Sequence, residues 1–248
     1  MPKNASASSH LLSAAGAGQQ AFRLIYPDLC PVCLKVEPLA EVGVCDTCNT
    51  ELPRIVPPFC NLCGGTVDGV LDICAECART PRPWDRAVSV FNFGGLARFV
   101  VHQLKYRGDV SVSPFLANEI LQAWRDTGDY REPDVVTAVP LHWLRRFKRG
   151  YNQSELVARA FADQAGLPFS DILVRRHWTA AQSRLSSSER RRNLRKAFAI
   201  SRSHFQLQDK RVLLIDDVLT TGSTLAACTD KLLKAGAESV EVLTIARG

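Results

Sequence analysis

No stretch of the chain approaches the roughly 18 consecutive apolar residues that a membrane-crossing helix requires. The Leu11-Leu12-Ser13-Ala14-Ala15 run is too short and too weakly apolar for an export signal. Residues 1–27 therefore read as a loose leader with a short helix. Cysteine is almost absent outside one region: eight of the nine fall between positions 30 and 77, leaving Cys228 alone in the C-terminal third. Gly222-Ser223-Thr224 lacks the lysine of a Walker loop, and no G-x-G-x-x-G follows an apolar run, which excludes the two commonest nucleotide fingerprints.

The 248 residues are 46 % hydrophobic and 23 % charged, enough for one main core and a smaller module. The net charge of +6 is unevenly spread. Residues 139–200 hold 13 Lys and Arg against 4 Asp and Glu, so the middle of the chain is suited to anions.

The eight clustered cysteines form four Cys-x-x-Cys pairs, Cys30/Cys33, Cys45/Cys48, Cys60/Cys63 and Cys74/Cys77, separated by 11, 11 and 10 residues. Two residues between thiols let both face one metal from a tight turn, and four such thiols complete a tetrahedral zinc site. Two structural Zn²⁺ ions are expected within residues 28–80, which are too few to bury much apolar surface unaided. Four disulfides would demand an oxidising compartment, for which nothing here argues. Sequential ligation is the simpler assignment, with Cys30, Cys33, Cys45 and Cys48 as one set and Cys60, Cys63, Cys74 and Cys77 as the other; an interleaved, cross-braced path remains open. Full thiolate coordination leaves no position for a reactive water, so chemistry is expected elsewhere. Cys228, with no ligand-spaced neighbour, reads as a small core residue.

After Pro81-Arg82-Pro83 the pattern changes to strands alternating with helices. Strands are expected over 87–93, 135–139, 172–175, 211–215 and 240–245, with helices over 96–106, 152–164 and 224–235. Asn152 and Ser154 are candidate caps, and Gly166 and Gly236 candidate stops. The fold class is α/β, a mainly parallel sheet over residues 81–248 preceded by the cysteine module. Ligands of such sheets sit at the carboxyl ends of the strands.

The most informative segment is 212–224, an apolar strand, two acids, then a hydroxyl-rich loop entering a helix. Gly222 lets backbone amides approach a ligand, while Thr220, Thr221, Ser223 and Thr224 add hydroxyl donors. The helix N-terminus contributes positive dipole, so the loop is a cradle for a phosphomonoester. Asp216 and Asp217 stand where carboxylates can accept hydrogen bonds from the vicinal hydroxyls of a ribose whose phosphate the loop holds. The segment resembles the phosphoribosyl pyrophosphate (PRPP) signature of type I phosphoribosyltransferases.

Two basic segments accompany it. The first, from Pro140 through Arg145, Arg146, Lys148 and Arg149 to Gln153, corresponds to the loop that holds pyrophosphate in type I phosphoribosyltransferases, which the resemblance assigns to Arg145, Arg146 and Arg149; planar, bidentate guanidinium groups suit that task. The second, 179–198, is polar and reads either as a solvated charged helix or as a flap over the site containing Gln182 and Arg190.

Four-cysteine ribbons, Arg149-Gly150-Tyr151-Asn152-Gln153, Thr179-x-x-Gln182-x-x-Leu185, Glu189-Arg190-x-x-Asn193 and the phosphate loop occur in the order seen in the ComF family, which the chain resembles over about residues 20–248. Tyr151 stands where that family usually carries Phe, and Lys196 where Gly is common. The resemblance implies a cytoplasmic protein tied to DNA uptake and natural transformation, with DNA-uptake proteins as partners. A catalytic version would bind PRPP with Mg²⁺: Asp216, Asp217 and Arg149 at the reacting ribose and pyrophosphate, and Thr220 to Thr224, Arg145, Arg146, Gln182 and Arg190 binding the remainder. No residue presents itself as a general base and none identifies an acceptor. That leaves a second class of function open, a non-catalytic PRPP or nucleotide sensor or a single-stranded DNA binder stacking bases on Trp143, Phe147, Tyr151 and Trp178. Aromatics beside strands are more often core.

Overall fold

The computed structural model describes residues 29–40, 43–107, 110–128, 131–176, 194, 196–201 and 205–248. The leader at 1–27 and nearly all of the segment 179–198 lie outside the described residues. The chain divides into two compact units, Met1–Thr50 and Glu51–Gly248. The second four-cysteine set thus belongs to the same unit as the α/β sheet.

Both cysteine sets are built alike. In each, the first Cys-x-x-Cys lies in a knuckle closed by an antiparallel bridge, Leu29 to Val36 in one and Phe59 to Thr66 in the other. The first cysteine's carbonyl accepts from the amide four residues on, Leu34 at 2.8 Å and Gly64 at 2.8 Å. That fourth residue takes the left-handed conformation in both, with φ of 62° at Leu34 and 66° at Gly64. Gly64 has a further reason to lack a side chain, since a Cβ there would come within 2.4 Å of the Ser89 amide nitrogen. The second Cys-x-x-Cys opens a short helix each time: α1 (Asp46–Glu51) carries Cys48 and α2 (Ala75–Arg79) carries Cys77, with Cys74 at its N-cap.

The main sheet has four strands, β1 (Arg86–Asn92), β2 (Val135–Ala138), β5 (Arg211–Leu219) and β6 (Ser239–Arg247), in the order β1-β6-β5-β2 with every pair parallel. Parallel strands are covered on both faces, which explains the unbroken Val212-Leu213-Leu214-Ile215 run. Helices α4 (Ser113–Asp126) and α6 (Gln153–Ala165) pack together, Trp124 meeting Phe161 edge-on at 5.8 Å. On α7 (Ser223–Lys234), Leu225, Ala227, Cys228 and Leu232 join one buried cluster with Val212, Leu214, Val240 and Val242. Cys60, Cys63, Cys77 and Trp84 belong to that same cluster, so the second cysteine knuckle shares a core with the sheet. Among the described residues no helix is long and apolar enough to cross a membrane.

Several expectations need correcting. The segment at 172–175 does not join the parallel sheet: β3 (Leu173–Arg175) pairs antiparallel with β4 (Phe198–Ile200) as a separate two-stranded ribbon. On the edge of β2 away from β5, an isolated parallel bridge joins Val136 to Phe169. The basic stretch after β2 is not all loop, because α5 (Trp143–Arg149) forms within it, started by His142 and ended at the left-handed Gly150. Asn152 occupies the N-cap position of α6 without capping it; its side-chain amide donates to the Val139 carbonyl at 3.0 Å. Helix α4, with Pro114 in its first turn and an apolar face of Leu116, Ile120 and Trp124, was not anticipated.

Candidate functional site

The site starts where β2 stops. β2 pairs with β5 only as far as Ala138 opposite Ile215, whereas β6 continues beside β5 to Arg247 opposite Leu219. Asp216 and Asp217 are therefore inside β5 rather than past its end, on the stretch that β2 no longer flanks. Both are buried. Ser154, in the first turn of α6, donates to Asp216 at 2.9 Å, as does the Asp217 amide at 2.9 Å. Asp217 accepts from Lys105 of α3 (Gly95–Tyr106) at 2.9 Å and from the Gln153 side-chain amide at 2.5 Å. Burial and the adjacent Asp217 carboxylate push Asp216 up to about 7, against the pull of the Asp217 amide, Ser154 and Lys105.

Beyond Leu219 the chain turns through exposed Thr220 and Thr221 to Gly222, which is left-handed at φ 74° and serves as N-cap of α7. The Thr221 and Ser223 hydroxyls lie 3.0 Å apart, and the Ser223 amide donates to the Thr221 hydroxyl at 3.4 Å. Thr224 follows in the first turn of α7, whose leading N–H groups have no partner within the helix. Gly222 packs so closely that an added Cβ would lie 2.7 Å from the Arg82 guanidinium and 2.9 Å from the Trp84 ring.

The three arginines after β2 diverge. Arg146 pairs with Glu155 at 3.2 Å. Arg149 donates to the Gln153 side-chain carbonyl and lies 5.4 Å from the Tyr106 ring centroid. Gln153 thereby links Arg149 to Asp217 through its two amide atoms. Arg145 acts on Arg175 of β3: burial and then this neighbouring cation hold Arg175 below its ordinary range. Gln182 and Arg190 lie outside the described residues. Trp143 and Phe147, one turn apart on α5, are 63 % and 84 % exposed and so are not core, while Tyr151 donates to the Leu104 carbonyl at 2.5 Å. Sequence reasoning missed Lys105, Ser154 as the partner of Asp216, and Arg175. Lys105 stands in an ordinary amphipathic helix and no spacing rule connects it to position 217.

Cys30, Cys33, Cys45 and Cys48 bring their sulfurs within 4.8 Å of one another, and so do Cys60, Cys63, Cys74 and Cys77. Zn–S bonds of about 2.3 Å in a tetrahedron place sulfurs ~3.8 Å apart. Cys33 to Cys45 is 3.9 Å and Cys63 to Cys74 is 3.8 Å, so both sets fit structural zinc. Burial, then hydrogen bonding from Cys45, pushes the Cys48 thiol up; burial likewise takes Cys77 up to about 12, against a hydrogen bond from Arg82.

Residues 148–248 match the family model described as phosphoribosyl transferase domain, and residues 21–78 match the double zinc ribbon domain. The chain is 35 % identical over 229 residues to DNA utilization protein YhgH of Salmonella typhimurium, covering 90 % of this chain and 99 % of that one. It is 30 % identical over 213 residues to competence protein F of Haemophilus influenzae, covering 84 % and 92 %. Among solved structures it is similar to glutamine PRPP amidotransferase from B. subtilis complexed with ADP and GMP, at 21 % identity and a TM-score of 0.41 over 58 % of this chain and 30 % of that one.

Proposed function

Since the chain belongs to the ComF family, to which competence protein F and DNA utilization protein YhgH are its relatives, we propose that its α/β domain binds PRPP at the carboxyl ends of β2 and β5 and acts in DNA uptake or utilization in the cytoplasm. The observation that carries this reading is the buried Asp216–Asp217 pair set immediately before the left-handed Gly222 turn into α7. Carboxylates accept from the ribose 2- and 3-hydroxyls; the amides and hydroxyls from Thr220 to Thr224 hold the 5-phosphate with the helix dipole. Arg145, Arg146 and Arg149 receive the pyrophosphate, which competes with Glu155 and Gln153 for two of them. Gln182 and Arg190, which lie outside the described residues, are assigned to the same ligand by the family resemblance alone.

If transfer occurs, a nucleophile forms a bond to the ribose anomeric carbon as the bond to the pyrophosphate oxygen breaks, and the arginines stabilise charge on the departing pyrophosphate. The acids position the ribose and take no proton in this scheme. Mg²⁺ bound with PRPP would offset charge on the ligand's pyrophosphate. Pyrophosphate release from PRPP in the presence of a panel of bases and amines tests transfer; no release across the panel leaves a PRPP-binding protein without transferase activity.

A second reading, single-stranded DNA binding, is favoured by the exposed Trp143 and Phe147 interleaved with four cations on α5. PRPP affinity that collapses in Asp216→Ala/Asp217→Ala while DNA affinity persists would assign the two ligands to separate sites; equal losses would assign them to one groove.

A further inference from the structure

Two arginines join the second cysteine cluster to the loop before α7. Arg82, three residues beyond α2, has a side chain only 4 % exposed. One terminal nitrogen donates to the Thr221 carbonyl at 2.5 Å and the other to Glu76 of α2 at 3.1 Å. Its guanidinium lies 5.6 Å from the Trp84 ring centroid. Arg247, at the end of β6, repeats the arrangement. It donates to the Leu219 carbonyl at 3.3 Å and to the other Glu76 oxygen at 3.0 Å. A Cβ added at Gly65 would meet both the Cys63 sulfur at 3.4 Å and the Arg247 Nε at 3.7 Å.

The Nε atoms of both arginines are buried without a hydrogen-bond partner. Buried N–H groups of this kind are costly unless an acceptor is supplied, and metal-bound thiolates are acceptors that outer-shell donors commonly satisfy. Four thiolates around one Zn²⁺ carry two net negative charges; with the Glu76 carboxylate that both guanidinium groups share, the two arginines offset all but one of the negative charges. In a planar trans peptide the carbonyl and the following N–H point in opposite directions. Holding the Thr221 and Leu219 carbonyls toward the arginines therefore turns the Gly222 and Thr220 N–H groups away from the ribbon.

We propose that the second cysteine cluster, with zinc bound, is the anchor of the phosphate loop, and that Arg82 and Arg247 are positioning residues that fix its amides through the Thr221 and Leu219 carbonyls. The anchoring stands on this geometry alone; its consequence for a ligand rests on the PRPP reading above.

Hydrogen exchange of the ligand-free, zinc-replete full chain tests it. Arg82→Met, which leaves every thiol in place, is expected to speed exchange at amides 220–226 about tenfold, with zinc content and protection of 212–215 unchanged. Ribose 5-phosphate binding should weaken about tenfold while inorganic pyrophosphate binding holds, a split that general destabilisation does not produce. Wild-type exchange at 220–226 in a folded Arg82→Met protein overturns the proposal. A wild-type chain that ignores ribose 5-phosphate while its loop still responds to Arg82→Met keeps the anchor and removes the PRPP reading. Cys77→Ser provides a second arm: loss of one zinc with a loosened loop supports the anchor, and loss of one zinc with full loop protection contradicts it. Should Cys77→Ser fail to fold, Arg82→Met decides.

Discussion

Lys105 and Asp217 are 112 residues apart in the chain, and their side chains meet at 2.9 Å where β5 loses its β2 neighbour. The contact closes a line from Arg149 through Gln153 and Asp217 to Lys105, so the acidic pair and the basic segment form one network before any ligand arrives.

Lys105→Met removes the cation and leaves a largely buried carboxylate with only the Gln153 amide. A loss of about 1–3 kcal/mol is expected, read as a lower denaturant midpoint at unchanged m-value. Because Lys105 also pulls Asp216 down, the variant should titrate Asp216 at higher pH than the wild type does.

Asp216 sets a pH dependence. Its folded value of about 7 lies above the ordinary carboxyl value of 3.8, so its contribution to stability is full below about pH 4 and is lost as pH rises through about 7. Asp216→Asn should therefore gain Tm relative to wild type at about pH 8 more than at about pH 5.5. Ligand binding runs the other way, since ribose hydroxyls need the ionised carboxylate as acceptor. PRPP affinity should rise with pH through about 7 beyond any change that Asp216→Asn retains.

Gly222→Ala tests the loop's packing. The left-handed backbone and the contacts with Arg82 and Trp84 both oppose a Cβ. A cost of about 1–3 kcal/mol is expected, together with weaker ribose 5-phosphate binding, measured by thermal melts and calorimetry.

Metal analysis of protein purified without chelator should give two zincs per chain. Cys60→Ser should give one and lower the Tm of the α/β unit, because Cys60, Cys63 and Cys77 share the buried cluster of Val212 and Val240.

What could be read in advance followed local rules. The four Cys-x-x-Cys pairs and the apolar strand running into Asp216, Asp217 and Gly222 carry their chemistry in contiguous residues, and the structure gathers the thiols in sequential sets. Helix α4 was also written locally, in Pro114 and the Leu116, Ile120 and Trp124 face, and was simply not recognised. Other features depend on partners far along the chain. β3 is antiparallel because its partner is β4, which a periodicity of three residues cannot state. Ser154, expected as a helix cap, faces Asp216 instead. Arg82 sits within Pro81-Arg82-Pro83, which reads as a boundary between modules, yet its guanidinium reaches a carbonyl 139 residues away.

Calorimetric titration of PRPP into the zinc-replete full chain and into Asp216→Asn/Asp217→Asn tests the central claim most directly. The account predicts saturable binding of one PRPP per chain, weakened at least about tenfold in the double variant. Absence of PRPP binding to the wild-type chain, or equal affinity in the two proteins, would contradict it.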